Sequence, residues 1–248
     1  MSHIHLPDGV LPAWLWVGGY LATGILITAF WWSKRFEVEP RRFAMLGIFA
    51  ALMILVMSIE IPVFPYHVNL SIVAAIILGP RLAVLTAFIV NLMLALAGHG
   101  GVTVVGLNSL ALSAEMLAGY GLFHLLSRLR LSIKPAAFLA VVLGLSIGTA
   151  TSYGLLAAGA PWISRSISAA EGPHRHEAAA GQVVGQAPSR HEHGALEKSV
   201  ARAQINLGRL AALMFGLGAI GWAIEGLLST AVLASLHRLD PVLLAESG

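Results

Sequence analysis

Two histidines near the start of the chain have the type and spacing of metal ligands. His3 and His5 follow Ser2, which is small enough for Met1 to be removed. A free α-amine, the amide nitrogen of the second residue and its imidazole can then chelate one metal ion in a plane. Square-planar nitrogen ligation suits Ni²⁺ or Cu²⁺, and imidazole also suits Co²⁺. The stretch indicates either a metal site built from the chain start or merely a polar beginning of an apolar protein.

A stiff turn follows these histidines. Pro7 fixes a backbone angle, Asp8 can cap a helix or close a turn, and Gly9 tolerates a positive φ. A rigid turn directly before the first apolar segment would fold the chain start back toward the helices. A flexible tail has no need of such a turn, so it favours the metal site.

His67 is the candidate for a further ligand. It lies in the stretch EIPVFPYHVNL, where Pro62 and Pro65 stiffen the backbone after the second apolar segment. Its imidazole would complete a four-ligand site, and the alternative is an ordinary interfacial histidine. Glu60 can accept the N–H of an imidazole or pair with a basic residue instead.

Other polar residues stand inside or beside apolar segments. His99 lies at the tip of a glycine-rich turn, and Asn108 and Glu115 share one helix face because they are seven residues apart. We expect Asn108 to hold the chain start by hydrogen bonds and Glu115 to join helices as a polar contact. Glu225 is followed by small residues, which predicts a helix that faces the protein interior.

Several classes of chemistry are excluded by missing motifs. The chain has no cysteine, so any metal site uses nitrogen or oxygen ligands. It has no Walker A pattern, no nucleophile elbow and no HExxH, so we expect neither an enzyme nor an ATPase. Four histidines in a polar segment, which either collect metal loosely or belong to a solvated linker, are His174, His176, His191 and His193.

The composition predicts that these residues are carried by membrane-spanning helices. Of 248 residues, 57% are hydrophobic and 11% are charged, against about 25% charged in soluble domains. The mean hydropathy is +0.81. Seven apolar segments lie at about 10–32, 43–62, 68–79, 82–97, 104–126, 136–159 and 208–236. The third is too short to cross a bilayer alone.

We therefore predict an all-α membrane protein with a bundle of about seven transmembrane helices in one domain, residues 1–248. Residues 1–9 form its metal-binding segment, and a long outer loop at about 161–207 is predicted to be disordered. The first apolar segment lacks the basic flank and cleavage site of a signal peptide, so we expect it to be retained.

The basic residues predict the orientation. With the N-terminus outside and the C-terminus in the cytoplasm, the inner loops hold Lys34, Arg35, Arg41, Arg42, Arg81, Arg128, Arg130 and Lys134. The short outer segments hold no lysine or arginine, as the positive-inside rule requires. The net charge of +3 is thus explained without a nucleic acid partner. This topology places eight of the ten histidines on the outer side.

Taken together, these motifs resemble the CbiM/NikM family, the substrate-binding membrane subunits of energy-coupling factor (ECF) transporters for cobalt and nickel. The matching stretches are HLPDG near the start, His67, GHGGVTVVGLNSL and AIEGLLST in the last segment. They are spread over nearly the whole chain, and the 161–207 loop has no counterpart.

The resemblance implies a metal site in which the N-terminus inserts into the helical core from outside and is joined by His67. Family members usually begin Met-His-Ile-Pro-Asp-Gly. Alignment on HLPDG makes His5 the ligand, whereas removal of Met1 makes Ser2 and His3 the equivalent pair. We expect Ser2, His3 and His67 as ligands, with His5 additional or alternative. The supporting residues are Asp8, Glu60, His99, Asn108 and Glu225.

The resemblance also implies partners and a location. These are a transmembrane coupling subunit, cytoplasmic ABC ATPase subunits and in some systems a small accessory membrane protein, all in the inner (plasma) membrane of a prokaryote. The cytoplasmic loops with Arg81, Arg128 and Arg130 are candidate coupling surfaces. No cofactor is expected; Co²⁺ or Ni²⁺ is the cargo, and cobalt would serve cobalamin synthesis.

A stand-alone secondary transporter or channel is the rival interpretation. Its divalent cation would pass along intramembrane carboxylates, for which Glu60, Glu115 and Glu225 are available. Such a protein would not need a free N-terminus. The choice between Ni²⁺ and Co²⁺ stays open, because the two ions are neighbours in the affinity order.

Overall fold

The architecture is a bundle of α-helices. The computed structural model of the chain describes residues 11–32, 40–58, 68–171 and 207–240. Within these ranges the elements are α1 (Ala13–Trp32), α2 (Pro40–Met57), α3 (Ser71–Leu78), α4 (Pro80–Leu96), α5 (Val105–Arg128), α6 (Ile133–Glu171) and α7 (Leu207–Leu239). Each of the seven predicted apolar segments overlaps one of these helices, so the all-α prediction is confirmed for the described residues.

Five of these helices, α1, α2, α5, α6 and α7, are long and apolar enough to cross a membrane. Helix α4 is shorter, with 17 residues. The weakness predicted for the third segment is confirmed, because α3 has eight residues and is about 12 Å long. All eight residues of α3 are buried, so this helix is enclosed by protein.

Helix α6 corrects one predicted boundary. The outer loop was expected to start at about residue 161, but α6 continues through Pro161 to Glu171. A proline inside a helix removes one backbone hydrogen bond. The serine- and alanine-rich stretch after it contains no further breaker until Gly172 and Pro173 follow in the sequence. The rest of the predicted loop, up to residue 206, lies outside the described residues.

Helix α5 is at the centre of the bundle, in contact with α1, α3, α4 and α6, and α7 packs on α6. Glycine makes the crossing of α1 and α5 close. A Cβ added to Gly106 would lie 2.5 Å from the backbone nitrogen of Tyr20. Thr23 Oγ1 donates a hydrogen bond of 2.7 Å to the carbonyl oxygen of Gly106, which ties the two helices together.

At one end of the bundle, arginine side chains donate hydrogen bonds to backbone carbonyl groups at helix ends. Arg81 donates to the carbonyl oxygens of Phe30 at 2.7 Å and Trp31 at 3.1 Å, at the C-terminal end of α1. Arg42 donates to the carbonyl oxygen of Ile77 at 3.4 Å, near the end of α3. The last carbonyl groups of a helix have no partner within it, so these guanidinium groups satisfy acceptors that lipid could not. We call this the arginine end.

A third arginine, Arg41, forms an exposed ion pair of 3.3 Å with Asp240, just beyond α7. Arg42 and Arg128 also act electrostatically on the same side chain, Tyr120, which brings the start of α2 close to the end of α5. The ends of α1, α3, α5 and α7 therefore meet at the arginine end, as the predicted alternation of helix directions requires.

Candidate metal centre

All of the predicted metal ligands, and several residues predicted to support them, lie outside the described residues. These are Ser2, His3, His5 and His67, together with Asp8, Glu60, His174, His176, His191 and His193. Their assignment stays a prediction. Of the predicted site residues, the structure describes His99, Asn108 and Glu225. In the described ranges, no group of three or more histidine, aspartate or glutamate side chains could hold a metal ion.

The described part of the chain begins at the end of the bundle opposite the arginine end. Leu11 and Leu15 are buried in one apolar cluster with Val104 and Leu107 at the start of α5. Gly159, in the second half of α6, leaves room for the side chain of Leu11. Residues 1–10 are therefore attached where α1 meets the start of α5.

His99 lies in the turn between α4 and α5, at this same end, and its side chain is exposed. Helix α4 ends in a Schellman motif in which His99 N–H donates to the Leu94 carbonyl at 2.8 Å and Gly98 N–H to the Ala95 carbonyl at 3.1 Å. The predicted glycine-rich turn is confirmed, with Gly98 at φ +83°. Asn108 follows in the first turn of α5 and is half-buried.

A buried polar cluster that the sequence did not predict joins α5 to the start of α3. Asn69 Nδ2 donates a hydrogen bond of 2.9 Å to Glu115 Oε1, and Ser71 Oγ donates one of 2.5 Å to the same oxygen. Ser71 N–H also donates to Asn69 Oδ1 at 3.0 Å. Glu115 and Ser71 are fully buried, and Asn69 is 1% exposed. We call these three residues the Glu115 cluster.

The sequence does contain one signal for this cluster. Asn69 and Ser71 stand directly before the apolar run of α3, and asparagine and serine favour helix starts because their side chains accept backbone N–H groups. Their partner Glu115 is 46 residues away from Asn69. The predicted role of Glu115 as a polar contact between helices is confirmed.

Glycines on α5 and α6 leave the space that the Glu115 cluster and the start of α3 occupy. A Cβ added to Gly148 of α6 would collide with Oε2 and Cβ of Glu115. Four residues after Glu115 on α5 and four residues before Gly148 on α6, Gly119 and Gly144 leave room for the side chain of Ile72. The first turn of α3 therefore rests in a hollow at the crossing of α5 and α6, where larger side chains would not fit.

Glu225 in α7 is 1% exposed, so the predicted interior-facing helix is confirmed. Its carboxyl group acts electrostatically on that of Glu115. Buried residues with hydroxyl groups also occur on α5, α6 and α7; they are Ser109, Ser113, Thr149, Ser152 and Ser229. The bundle thus has a polar interior within apolar helices.

The family of the chain follows from its match to known proteins. A family model named CbiM, described as "Cobalt uptake substrate-specific transmembrane region", matches residues 5–243. The chain belongs to the CbiM family. The match begins at His5, so it contains the HLPDG stretch and His67, whereas Ser2 and His3 precede it.

Individual CbiM relatives are distant. The chain is 28% identical over 152 residues to the "Cobalt transport protein CbiM" of Thermosediminibacter oceani, which covers 57% of this chain and 61% of that protein. It is 28% identical over 153 residues to the protein of the same name from Ruminiclostridium cellulolyticum, covering 58% and 60%. The chain thus spans about three fifths of the length of these relatives. Both relatives are named as cobalt transport proteins.

A solved structure shares the CbiM fold. The chain superposes on a protein described as a transition metal transporter with a TM-score of 0.71 over 96% of this chain and 94% of the other, at 17% identity. This likeness shows that the helices share one arrangement. With its apolar helices and its family, the chain is a multi-pass membrane protein.

Proposed function

We propose that the protein is the metal-binding membrane subunit of an ECF-type importer for Co²⁺ or Ni²⁺ in the plasma membrane of a prokaryote. The observation that carries this proposal is the CbiM match over residues 5–243, which spans all seven helices. The missing nucleotide-binding motif agrees with it, because a subunit of this kind takes its energy from ATPase partners.

The proposed metal site uses the chain start and His67. The α-amine, a backbone amide and the imidazole of His3 or His5 supply three nitrogen ligands, and His67 supplies the fourth. Support comes from Leu11, which follows this segment and packs with Val104 and Leu107 at the start of α5, the helix that carries Asn108 and follows the His99 turn. The loop histidines named above would capture metal before it enters. A cobalt-loaded importer would feed cobalamin synthesis.

The arginine end is proposed to face the cytoplasm and the coupling subunit. Arg128 and Arg130 are exposed there and remain candidates for contact with a partner. Arg81 is engaged with two carbonyl groups of α1, which favours a structural role over a coupling role. The opposite end, which carries the chain start, would then face outward.

One observation favours the rival function. Glu115 and Glu225 are both buried and act on each other in the polar interior, as a carboxylate path for a cation would require. The third carboxylate of that path, Glu60, lies outside the described residues. The two functions differ in whether metal binding needs the chain start.

The decisive experiment blocks the N-terminus. We expect that a Gly-Ser extension before residue 1, or chemical acetylation of the α-amine, weakens Ni²⁺ and Co²⁺ binding by more than tenfold in calorimetric titration, because the chelate loses its amine. The same extension after Gly248 is the matched control, and mass spectrometry identifies the residue that carries the amine. Separate His3→Ala and His5→Ala variants show which imidazole binds.

Unchanged affinity after both modifications would contradict the chelate and favour the carboxylate path. Metal uptake that persists in cells without the ATPase partners would contradict the importer assignment.

A further inference from the structure

We propose that the lipid-facing side of α1 binds one anionic phospholipid, with an acyl chain in a groove along the helix and the phosphate group beside Arg81. The lipid would come from the leaflet at the arginine end. This inference goes beyond the proposed metal import and does not depend on it, because it concerns a surface that faces the bilayer.

Helix α1 is the least buried of the five long apolar helices. Only 11% of the residues in its apolar stretch are buried, against 22–44% in the other four. Its buried residues, Leu15, Gly19 and Thr23, form one stripe at intervals of four. Within the described residues α1 packs on α5 and α4. Its other sides therefore face lipid.

An apolar groove runs along this lipid-facing side. It begins at Tyr20 and ends at Trp32, and its middle is lined by small residues that include Gly24 and Thr28. Its volume of about 590 Å³ is within the range of about 300–1,000 Å³ that ligand sites occupy. Thr28 Oγ1 donates to the carbonyl oxygen of Gly24 at 2.7 Å, so this hydroxyl group is satisfied within the helix. The surface of the groove suits a hydrocarbon chain.

The groove has about the length of one leaflet. Trp32 follows Tyr20 by 12 positions, which corresponds to about 18 Å along a helix, and half of a bilayer core is about 15 Å. Trp31 and Trp32 are exposed at one end of the groove, and tryptophan is typical of the level of the lipid head groups. An acyl chain that starts at this level would run along the groove to the centre of the bilayer.

Arg81 places a positive charge at the same end. Its Nε donates to the carbonyl oxygen of Phe30 and its Nη2 to that of Trp31, directly before Trp32. A guanidinium group has five N–H donors and binds phosphate oxygens as well as carbonyl groups. Basic sites beside membrane helices favour anionic head groups. A phospholipid whose chain lies in the groove would therefore have its phosphate group near this arginine.

A transmembrane helix of a partner protein is the alternative occupant, because small residues also allow helices to approach closely. Two features favour the lipid. The groove is confined to one leaflet, whereas a partner helix crosses both. The positive charge lies at the end of the groove where a head group would be.

The test measures how much phosphatidylglycerol and phosphatidylcholine the purified full-length protein retains from bilayers that contain equal amounts of both, by native mass spectrometry. The unmodified protein should retain phosphatidylglycerol in preference. Gly24→Leu should lose most of this lipid, because the leucine side chain occupies the groove. Arg81→Gln should lower the preference for phosphatidylglycerol about fivefold, as the loss of one charge contact with an anionic lipid implies.

Each substitution has a matched control. Gly18→Leu adds the same side chain to an exposed position of α1 outside the groove, and Cβ atoms at Gly18 and at Gly24 alike meet nothing within 4 Å. Arg41→Gln removes a positive charge at the same end, where Arg41 pairs with Asp240. Both controls should retain phosphatidylglycerol as the unmodified protein does. If Arg81→Gln fails to fold, the two glycine variants and the comparison of the two lipids carry the test.

Selective loss of phosphatidylglycerol in Gly24→Leu and Arg81→Gln supports the lipid site. Equal retention by Gly24→Leu and Gly18→Leu would contradict it, as would equal retention of the two lipids by the unmodified protein. If Gly24→Leu retains lipid normally but no longer copurifies with the membrane partner of the proposed importer, the groove binds a helix and the lipid assignment is wrong. Metal titration of the same variants tests the proposed function separately.

Discussion

At the residue scale, the crossing of α5 and α6 shows how little room surrounds Glu115. Gly148 and Glu115 face each other on the two helices, and a Cβ on the glycine would overlap the carboxyl group. Small residues allow helices in membranes to approach closely and leave space for polar contacts. The side chain at position 148 therefore decides whether the Glu115 cluster can form.

Gly148→Ala is expected to destabilise the protein by about 1–3 kcal/mol, the usual cost of overpacking a close contact. The displaced carboxyl group would also lose its hydrogen bond with Asn69. Thermal unfolding in detergent measures the loss of stability.

Gly154→Ala is the matched control for that change. Gly154 lies on the same helix, and a Cβ there meets nothing within 4 Å. Alanine is favoured over glycine inside helices by about 0.5–1 kcal/mol, so this variant should be neutral or slightly more stable. Equal stability of the two variants would contradict the close contact at Gly148.

At the element scale, α3 is held at both ends although it does not cross the bundle. Its first turn is fixed by the Glu115 cluster, and its last carbonyl groups include that of Ile77, which accepts from Arg42. A helix of eight residues gains little from its own hydrogen bonds. The position of α3 is therefore determined by its neighbours.

Helix ends give a second test at this scale. Helices α4 and α5 both end in Schellman motifs, with Gly98 at φ +83° in the first and Arg130 at φ +62° in the second. A left-handed conformation costs a residue with a Cβ about 1–2 kcal/mol, whereas glycine adopts it freely. Arg130→Gly should therefore stabilise the protein and Gly98→Ala should destabilise it, each by about 1 kcal/mol, in thermal unfolding.

The two substitutions serve as controls for each other because they change the same position of the same motif in opposite directions. Shifts of the same sign would contradict the assignment of these two ends.

At the scale of the whole molecule, the bundle is asymmetric between its two ends. One end carries Arg42, Arg81 and Arg128, and the other carries the attachment of the chain start and the His99 turn. The positive-inside rule predicts that the first faces the cytoplasm. This orientation would place metal capture and partner coupling on opposite sides of the membrane.

The absence of native cysteine makes this orientation directly measurable. In intact cells we expect a membrane-impermeant maleimide to label His99→Cys, while Lys134→Cys, exposed at the start of α6, is labelled only after permeabilisation. The unsubstituted chain is the control for background labelling. The reverse pattern would place the arginine end outside and contradict coupling to cytoplasmic ATPases.

The sequence by itself determined the number and type of the elements. Each helix satisfies its own backbone hydrogen bonds, so a local run of apolar residues is enough to predict it, including the short α3. Local signals also predicted the Gly98 turn and the interior position of Glu225. They misplaced the end of α6, because the apolar segment ends at about residue 159 whereas the helix continues through Pro161 to Glu171.

Only the tertiary structure decided which polar residues meet. Asn69 and Glu115 are 46 residues apart, and their contact depends on how α3 rests on the crossing of α5 and α6. That crossing depends on Gly119, Gly144 and Gly148, whose small size matters only once the facing side chain is known. Helix formation is local, whereas the packing that joins Asn69 and Ser71 to a buried carboxyl group involves residues distant in sequence.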